Sequence, residues 1–114
     1  MQDAVRACGR GTVCWIKGKL DAAIVRFDEA IKLDPRYARA YCNRGTVYCE
    51  QGDYQRALAD FDEAIRLDAH YARAYNNRGF VWRKLGELDK AVADYTAAIQ
   101  IDPRYADAYN NRAI

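Results

Sequence analysis

A repeat of 34 residues constrains this chain more than any other feature of its sequence. Gly11, Gly45 and Gly79 stand one period apart, and the same step links Gly18, Gly52 and Gly86, then Ala23, Ala57 and Ala91, then Ala30, Ala64 and Ala98. A period of this size marks stacked supersecondary units, each too small to bury its own apolar face and each covered by its neighbours. Units beginning at Ala4, Ala38 and Ala72 span residues 4–37, 38–71 and 72–105, and residues 106–114 open a fourth. The second and third units are identical at roughly half of their positions.

Within a unit the apolar residues recur at helical spacing, as in Tyr41 and Tyr48 and then Ala57, Leu58, Phe61, Ala64 and Ile65. Each unit therefore reads as two amphipathic helices. The break inside the unit falls at Gly18, Gly52 and Gly86, where glycine accepts the positive φ that ends a helix. The break between units falls at Asp34-Pro35 and Asp102-Pro103, where aspartate is expected to cap the coming helix and proline to take its first position. The middle unit has Asp68-Ala69 there and keeps only the cap. Gly45, Ala57 and Ala64 fit places where helix axes approach closely, and Tyr48 and Phe61 fill the space between. The first unit departs from this pattern. It has Ala7 where the others have Tyr41, Tyr75 and Tyr109, and Gly9 where they have asparagine. With Gly11 this puts two glycines in one helix, each costing about 1 kcal/mol relative to alanine, so the first helix is expected to fray unless it is packed.

These residues carry a family resemblance. The aromatic at Tyr41, with Gly45, Tyr48, Gly52-Asp53-Tyr54, Ala57, Phe61, Ala64 and the prolines Pro35 and Pro103, resembles the tetratricopeptide repeat over residues 4–114. The resemblance implies an all-α fold, a right-handed α-solenoid of stacked antiparallel helical hairpins forming one domain over residues 1–114. Residues 106–114 would then be a partial capping helix. It also implies that the first helices of the units line a concave groove, and that protein or peptide segments are the usual ligands. One departure is constant: arginine at Arg10, Arg44, Arg78 and Arg112 stands where the family usually has leucine.

The groove positions of the family map onto Val5, Cys8, Thr12, Trp15 and Ile16, then Arg39, Cys42, Thr46, Cys49 and Glu50, then Arg73, Asn76, Phe80, Arg83 and Lys84. On that mapping the N-terminal end of the groove is apolar and the C-terminal end basic. An extended peptide with an apolar anchor toward one end and carboxylates toward the other is the expected ligand, held by charge-assisted hydrogen bonds. A solvated surface would carry the same charges. Asn43, Asn77 and Asn111 form a column at the sixth position of successive units, and side-chain amides offer both donor and acceptor to a peptide backbone. The same amides are equally suited to bonding the neighbouring helix pair. The family's carboxylate clamp for chaperone C-termini needs cations or amides where this chain has Cys8, Thr12, Asn43, Arg73 and Asn77. Asn43 alone matches, with Arg73 similar in charge, so a chaperone-tail receptor is disfavoured.

The arginine series meets Asp60 and Asp94 on the second helices, and ion pairs between helices are the expected role of those arginines, since a half-buried guanidinium needs a partner. In the first unit Arg26 replaces the aspartate, so the pairing must differ there. Asp28-Glu29 and Asp62-Glu63 read as a solvated outer face. Cys8, Cys14, Cys42 and Cys49 lack zinc-knuckle spacing, and the one histidine, His70, is remote from them. Neighbouring helix axes ~8–10 Å apart leave Cys8 and Cys42 beyond easy disulfide reach, so free thiols are expected.

Composition narrows the function classes. With 51% hydrophobic and 30% charged residues the chain is fit to pack in water, and a formal charge of +2 supplies no basic stripe for nucleic acid. Pentatricopeptide repeats, which read RNA, resemble it in period, but the glycine, tyrosine, alanine and phenylalanine framework is of the tetratricopeptide kind. No stretch approaches the ~20 apolar residues of a membrane span. The opening MQDAVRACGRG shows no secretory signal, and a cytoplasmic location is expected. There is no serine and no phosphate-binding loop, so neither catalysis, cofactor nor metal is expected. The sequence thus reads as a non-catalytic scaffold that binds a protein or peptide of acidic character through Trp15, Arg39, Asn43, Arg73, Asn77, Phe80, Arg83, Lys84 and Asn111. The alternative reading is a structural module that stacks end to end into homo-oligomers. The incomplete fourth unit reads as a piece cut from a longer or engineered array, its uncovered end being the expected point of self-association.

Overall fold

The computed structural model describes residues 2–104. The expected capping helix, with Asn111 and Arg112, lies outside the described residues. Six helices follow in order: α1 (Gln2–Ile16), α2 (Leu20–Leu33), α3 (Ala38–Glu50), α4 (Tyr54–Leu67), α5 (Ala72–Lys84) and α6 (Leu88–Ile101). They pack as the hairpins α1·α2, α3·α4 and α5·α6. Each hairpin then joins the next through α2·α3 and α4·α5, while α3 also touches both α1 and α5. The result is a solenoid whose first helices run side by side along one surface.

The hairpin turns follow from glycine. Gly18, Gly52 and Gly86 have φ of 76°, 77° and 81°, and the next residue's N–H reaches back to the first helix. Lys19, Asp53 and Glu87 donate to the carbonyls of Cys14, Tyr48 and Trp82 at 2.8, 2.9 and 2.9 Å, which satisfies carbonyls that the helix end would otherwise orphan. Asp53 then caps α4 by accepting from the Arg56 N–H at 3.3 Å.

Between units the chemistry differs from expectation. Asp34 does not cap α3; it is the last half-turn of α2, and its Oδ1 accepts from the Arg36 N–H at 3.1 Å across Pro35. Asp68 and Asp102 do the same with the N–H groups of His70 and Arg104. Because α3 begins only at Ala38, Pro35 sits in this aspartate turn, outside the helix. The proline ring is dispensable there. Tyr41 donates from its hydroxyl to the Pro35 carbonyl at 3.0 Å, and Tyr75 makes the same bond to the Ala69 carbonyl at 3.2 Å.

The core is a column of small residues and rings. Phe27, Phe61 and Tyr95 are fully buried, and each lies against the glycine of its own hairpin. A methyl placed on Gly11, Gly45 or Gly79 would come within 2.5, 2.8 or 2.7 Å of the facing ring. Ala40, Val47, Ala74 and Val81 on the first helices are also fully buried, covered by the preceding unit. Gly11 is thus a packing residue, and α1 is continuous through both its glycines. Gly9 differs, because a methyl there would meet nothing within 4 Å. Gly9→Ala should therefore raise stability by roughly 0.5–1 kcal/mol through helix propensity alone. Gly45→Ala should lower it by about 1–3 kcal/mol, because overpacking outweighs the same gain. Urea unfolding followed by circular dichroism measures both, and a matching response of the two variants would contradict this account.

Arginine sets the register between hairpins. Arg44 donates through Nε and Nη2 to both oxygens of Asp60 at 2.9 and 2.7 Å, and through Nη1 to Asp28 of the preceding unit at 2.7 Å. Arg78 repeats the arrangement one period on, with Asp94 at 2.8 and 2.8 Å and Asp62 at 3.0 Å. Asp28 and Asp62, read from sequence as solvated surface, are the second anchors of these guanidiniums. The hydrogen bonds to Asp60 and Asp94 hold the two guanidiniums above their ordinary pKa. Burial meanwhile pushes the Asp60 carboxyl up, against the pull of Arg44. Such a pair fixes geometry more than it adds net stability. In the first unit Arg26 pairs with Glu29 at 3.1 Å instead.

Candidate peptide-binding groove

The side-by-side first helices bring most of the mapped positions onto one surface with two depressions, but Cys42 is fully buried in the core and Asn76 is buried as well, so these two do not line it. The first holds about 360 Å³ and is lined by Val5, Cys8, Gly9, Thr12 and Trp15 of α1, with Tyr37, Arg39, Asn43 and Arg73. The second holds about 270 Å³ between α3 and α5 and is lined by Thr46, Cys49, Glu50, Tyr54, Phe61, Asn77 and Phe80.

Charge is distributed differently from the sequence expectation. Arg39 and Arg73, at the starts of α3 and α5, both reach the first depression, beside Trp15 and Val5. The N-terminal part of the surface is therefore mixed, with apolar residues of α1 and cations of α3 and α5 lining one depression. No carboxylate lies within ion-pair distance of either arginine among the described residues. The neighbouring phenols of Tyr37 and Tyr71 raise the pKa of Arg39 further, so it stays charged. Arg83 and Lys84 instead lie over the ring of Phe80, at 5.5 and 5.4 Å from its centroid. Trp15 is tied down by a hydrogen bond from its Nε1 to Glu50 at 2.9 Å, which occupies that acid.

The asparagine column is engaged between units. Asn77 donates to the Thr46 hydroxyl at 3.1 Å, and Asn43 lies with Nδ2 at 3.6 Å from the Cys8 sulfur. Asn43 is 4% exposed, and its Oδ1 has no hydrogen-bond partner. Asn111, the third rung, lies outside the described residues. Tyr37, two residues before Arg39, was missed from sequence. It precedes the helix start, and only the turn geometry carries it onto this surface.

All four cysteines are free thiols. Burial pushes Cys42 from the ordinary 9.0 up to about 11 and Cys49 up to about 12, with Cys42 and Glu50 adding to the effect on Cys49. Burial raises Cys8 as well, against a hydrogen bond from Asn43. Such thiols are poor nucleophiles. No group of three or more metal-ligating side chains occurs among the described residues. Native protein treated with iodoacetamide at pH 8 should modify Cys14 first, with Cys42 and Cys49 reacting only on unfolding. Because the folded thiols titrate higher than unfolded ones, stability should fall as pH rises from about 9 toward 11. Mass spectrometry of the alkylated sites and urea titrations at pH 8 and 10 check the two expectations.

A family model described as tetratricopeptide repeat matches residues 42–106, and a second, described as TPR repeat, matches residues 11–49. The chain is a tetratricopeptide repeat protein. No curated protein matches it. Among solved structures, this repeat protein is similar to the first TPR of Spaghetti (RPAP3) bound to the HSP90 peptide SRMEEVD, with 27% identity, TM-score 0.94, and 98% and 89% of the two chains covered. It is similar to the second TPR domain of human RPAP3 in complex with the HSP70 peptide SGPTIEEVD, with 28% identity, TM-score 0.91 and coverage of 98% and 93%. It is also similar to the Arabidopsis OM64 TPR domain, with 26% identity, TM-score 0.95 and the same two coverages. Among the described residues, no helix is long and apolar enough to cross a membrane.

Proposed function

We propose that this tetratricopeptide repeat protein is a non-catalytic scaffold that binds an extended acidic peptide along α1, α3 and α5. One observation carries the reading: Arg39 and Arg73 converge on a single depression with no carboxylate of their own to pair with. Arginine without an internal carboxylate, as here where Arg39 has the Tyr37 and Tyr71 phenols beside it, is suited to bidentate capture of a ligand carboxylate. Trp15 and Val5 supply an apolar wall beside it, and the depression bounded by Tyr54, Phe61 and Phe80 accepts a hydrophobic side chain further along the peptide. The acidic peptides held by the solved RPAP3 domains support a ligand of this charge.

This chain differs from a receptor for a C-terminal carboxylate in its first unit. α1 lines the depression with Cys8 and Thr12 and contributes no cation to it, and Thr12 already donates to the Cys8 carbonyl at 3.2 Å. The lining cations, Arg39 and Arg73, come from α3 and α5 and none from α1, so the ligand's acid is best carried on a side chain within the peptide. Arg83 and Lys84 extend the positive edge toward the C-terminal end, and a cytoplasmic setting fits the free thiols.

Fluorescence anisotropy with labelled SRMEEVD and its charge-reversed counterpart SRMKKVK tests the proposal. The acidic peptide should bind at least about tenfold more tightly at low salt, and Arg39→Ala with Arg73→Ala should abolish the difference. Equal affinity for the two peptides in the wild-type protein would rule the reading out.

A further inference from the structure

Two positive charges meet in the first depression without a carboxylate to balance them. Arg39 comes from the start of α3 and Arg73 from the start of α5, one repeat apart, and both line the same space of about 360 Å³. Burial pushes the Cys8 thiol up, while Asn43, Arg39, Tyr37 and Arg73 all act on it in the opposite direction, so both guanidiniums are felt at one sulfur. Among the described residues neither arginine has a carboxylate within ion-pair distance, whereas Arg44 and Arg78 each have two. Glu50, on the same surface, is engaged by the Trp15 indole.

Neutral donors join the two cations. Tyr37 lines the depression and stands with Tyr71 beside Arg39. A phenol hydroxyl that accepts from a guanidinium can donate onward to a ligand oxygen. Asn43 also lines it, 4% exposed, with Nδ2 on the Cys8 sulfur at 3.6 Å, a weak acceptor, and Oδ1 without a hydrogen-bond partner. A buried polar wall left in this state is one that a polar ligand completes.

The charge count selects the ligand group. A single carboxylate brings one charge and two oxygens, which one guanidinium fork takes up. Two acids in succession do not supply the second charge to the same place, since successive side chains of an extended peptide point to opposite sides and alternate ones stand about 6.5–7 Å apart. A phosphorylated serine or threonine gathers a charge of about −1.5 to −2 and three acceptor oxygens on one side chain. We propose, resting on the acidic-peptide reading above, that the depression lined by Arg39 and Arg73 takes a phosphoserine or phosphothreonine of the ligand, held between the two guanidiniums with Tyr37 donating to the remaining oxygen. Phosphorylation of the partner then strengthens the complex.

The probe is a labelled peptide SRMXAVG, amidated at its C-terminus, with X as phosphoserine, glutamate or serine, titrated into the full chain by fluorescence anisotropy. The phosphoserine peptide should bind about tenfold more tightly than the glutamate peptide, and the glutamate peptide more tightly than the serine one. Arg39→Ala or Arg73→Ala alone should remove most of the advantage of phosphoserine over glutamate, and Arg39→Lys, which keeps the charge and loses the fork, should retain part of it. Lys32→Ala on α2 should leave all three affinities unchanged. Equal affinity for phosphoserine and glutamate overturns the proposal and leaves the acidic-peptide reading standing; equal affinity for all three overturns both. The proposal also falls if SRMEEVD binds as tightly as the phosphopeptide, if inorganic phosphate at the same concentration displaces the phosphopeptide, or if its advantage survives both alanine variants. Arg39 is exposed and Arg73 half-buried, so the variants should fold, which circular dichroism verifies.

Discussion

The contact between a first-helix glycine and the ring of the second helix governs the spacing of every hairpin. With Phe27, Phe61 and Tyr95 lying where a β-carbon on Gly11, Gly45 or Gly79 would have to go, the two helix axes close to a distance that larger residues forbid. Alanines at Ala23, Ala57 and Ala91 and at Ala30, Ala64 and Ala98 complete the same fit and are fully buried. Because each hairpin is closed in the same way, the hairpins are interchangeable blocks, and the surface presented by α1, α3 and α5 follows from their repetition.

How one block sits on the next depends on a different interaction. The guanidiniums of Arg44 and Arg78 each span two hairpins, and their planar fork fits one carboxylate with two bonds and a second with one. That geometry fixes the rotation between units and so places Arg39 and Arg73 on the same depression. Arg44 and Arg78, at the seventh position of their units, are paired between hairpins, while Arg39 and Arg73, at the second position, have no carboxylate within ion-pair distance among the described residues. The distinction rests on partners, since the residue type is the same.

Much of this was legible in advance. The period gave the number and size of the hairpins, Gly52 marked a turn that has the expected positive φ, and the pairing of Arg44 with Asp60 followed from a half-buried cation needing an anion. Other features were not. Asp34 could cap a following helix or close a turn after its own, and only the start of α3 at Ala38 decides between them. Asp28 sits beside Glu29 on what looks like an outer face, and its role on Arg44 depends on the rotation between units. The asparagines were ambiguous for the same reason: Asn77 meets Thr46 only when α5 lies beside α3.

The sequence by itself determined the architecture, because a repeat of 34 residues with small residues and rings at fixed places admits one kind of helical stack, each contact being local or one period away. Tertiary structure decided which charges are spent inside the protein and which face outward. Arg10, Arg44 and Arg78 are the same residue at the same position of the repeat, yet two are locked between hairpins and one lies exposed on α1. A period in sequence describes each unit alike; whether a neighbour covers it is a property of the stack.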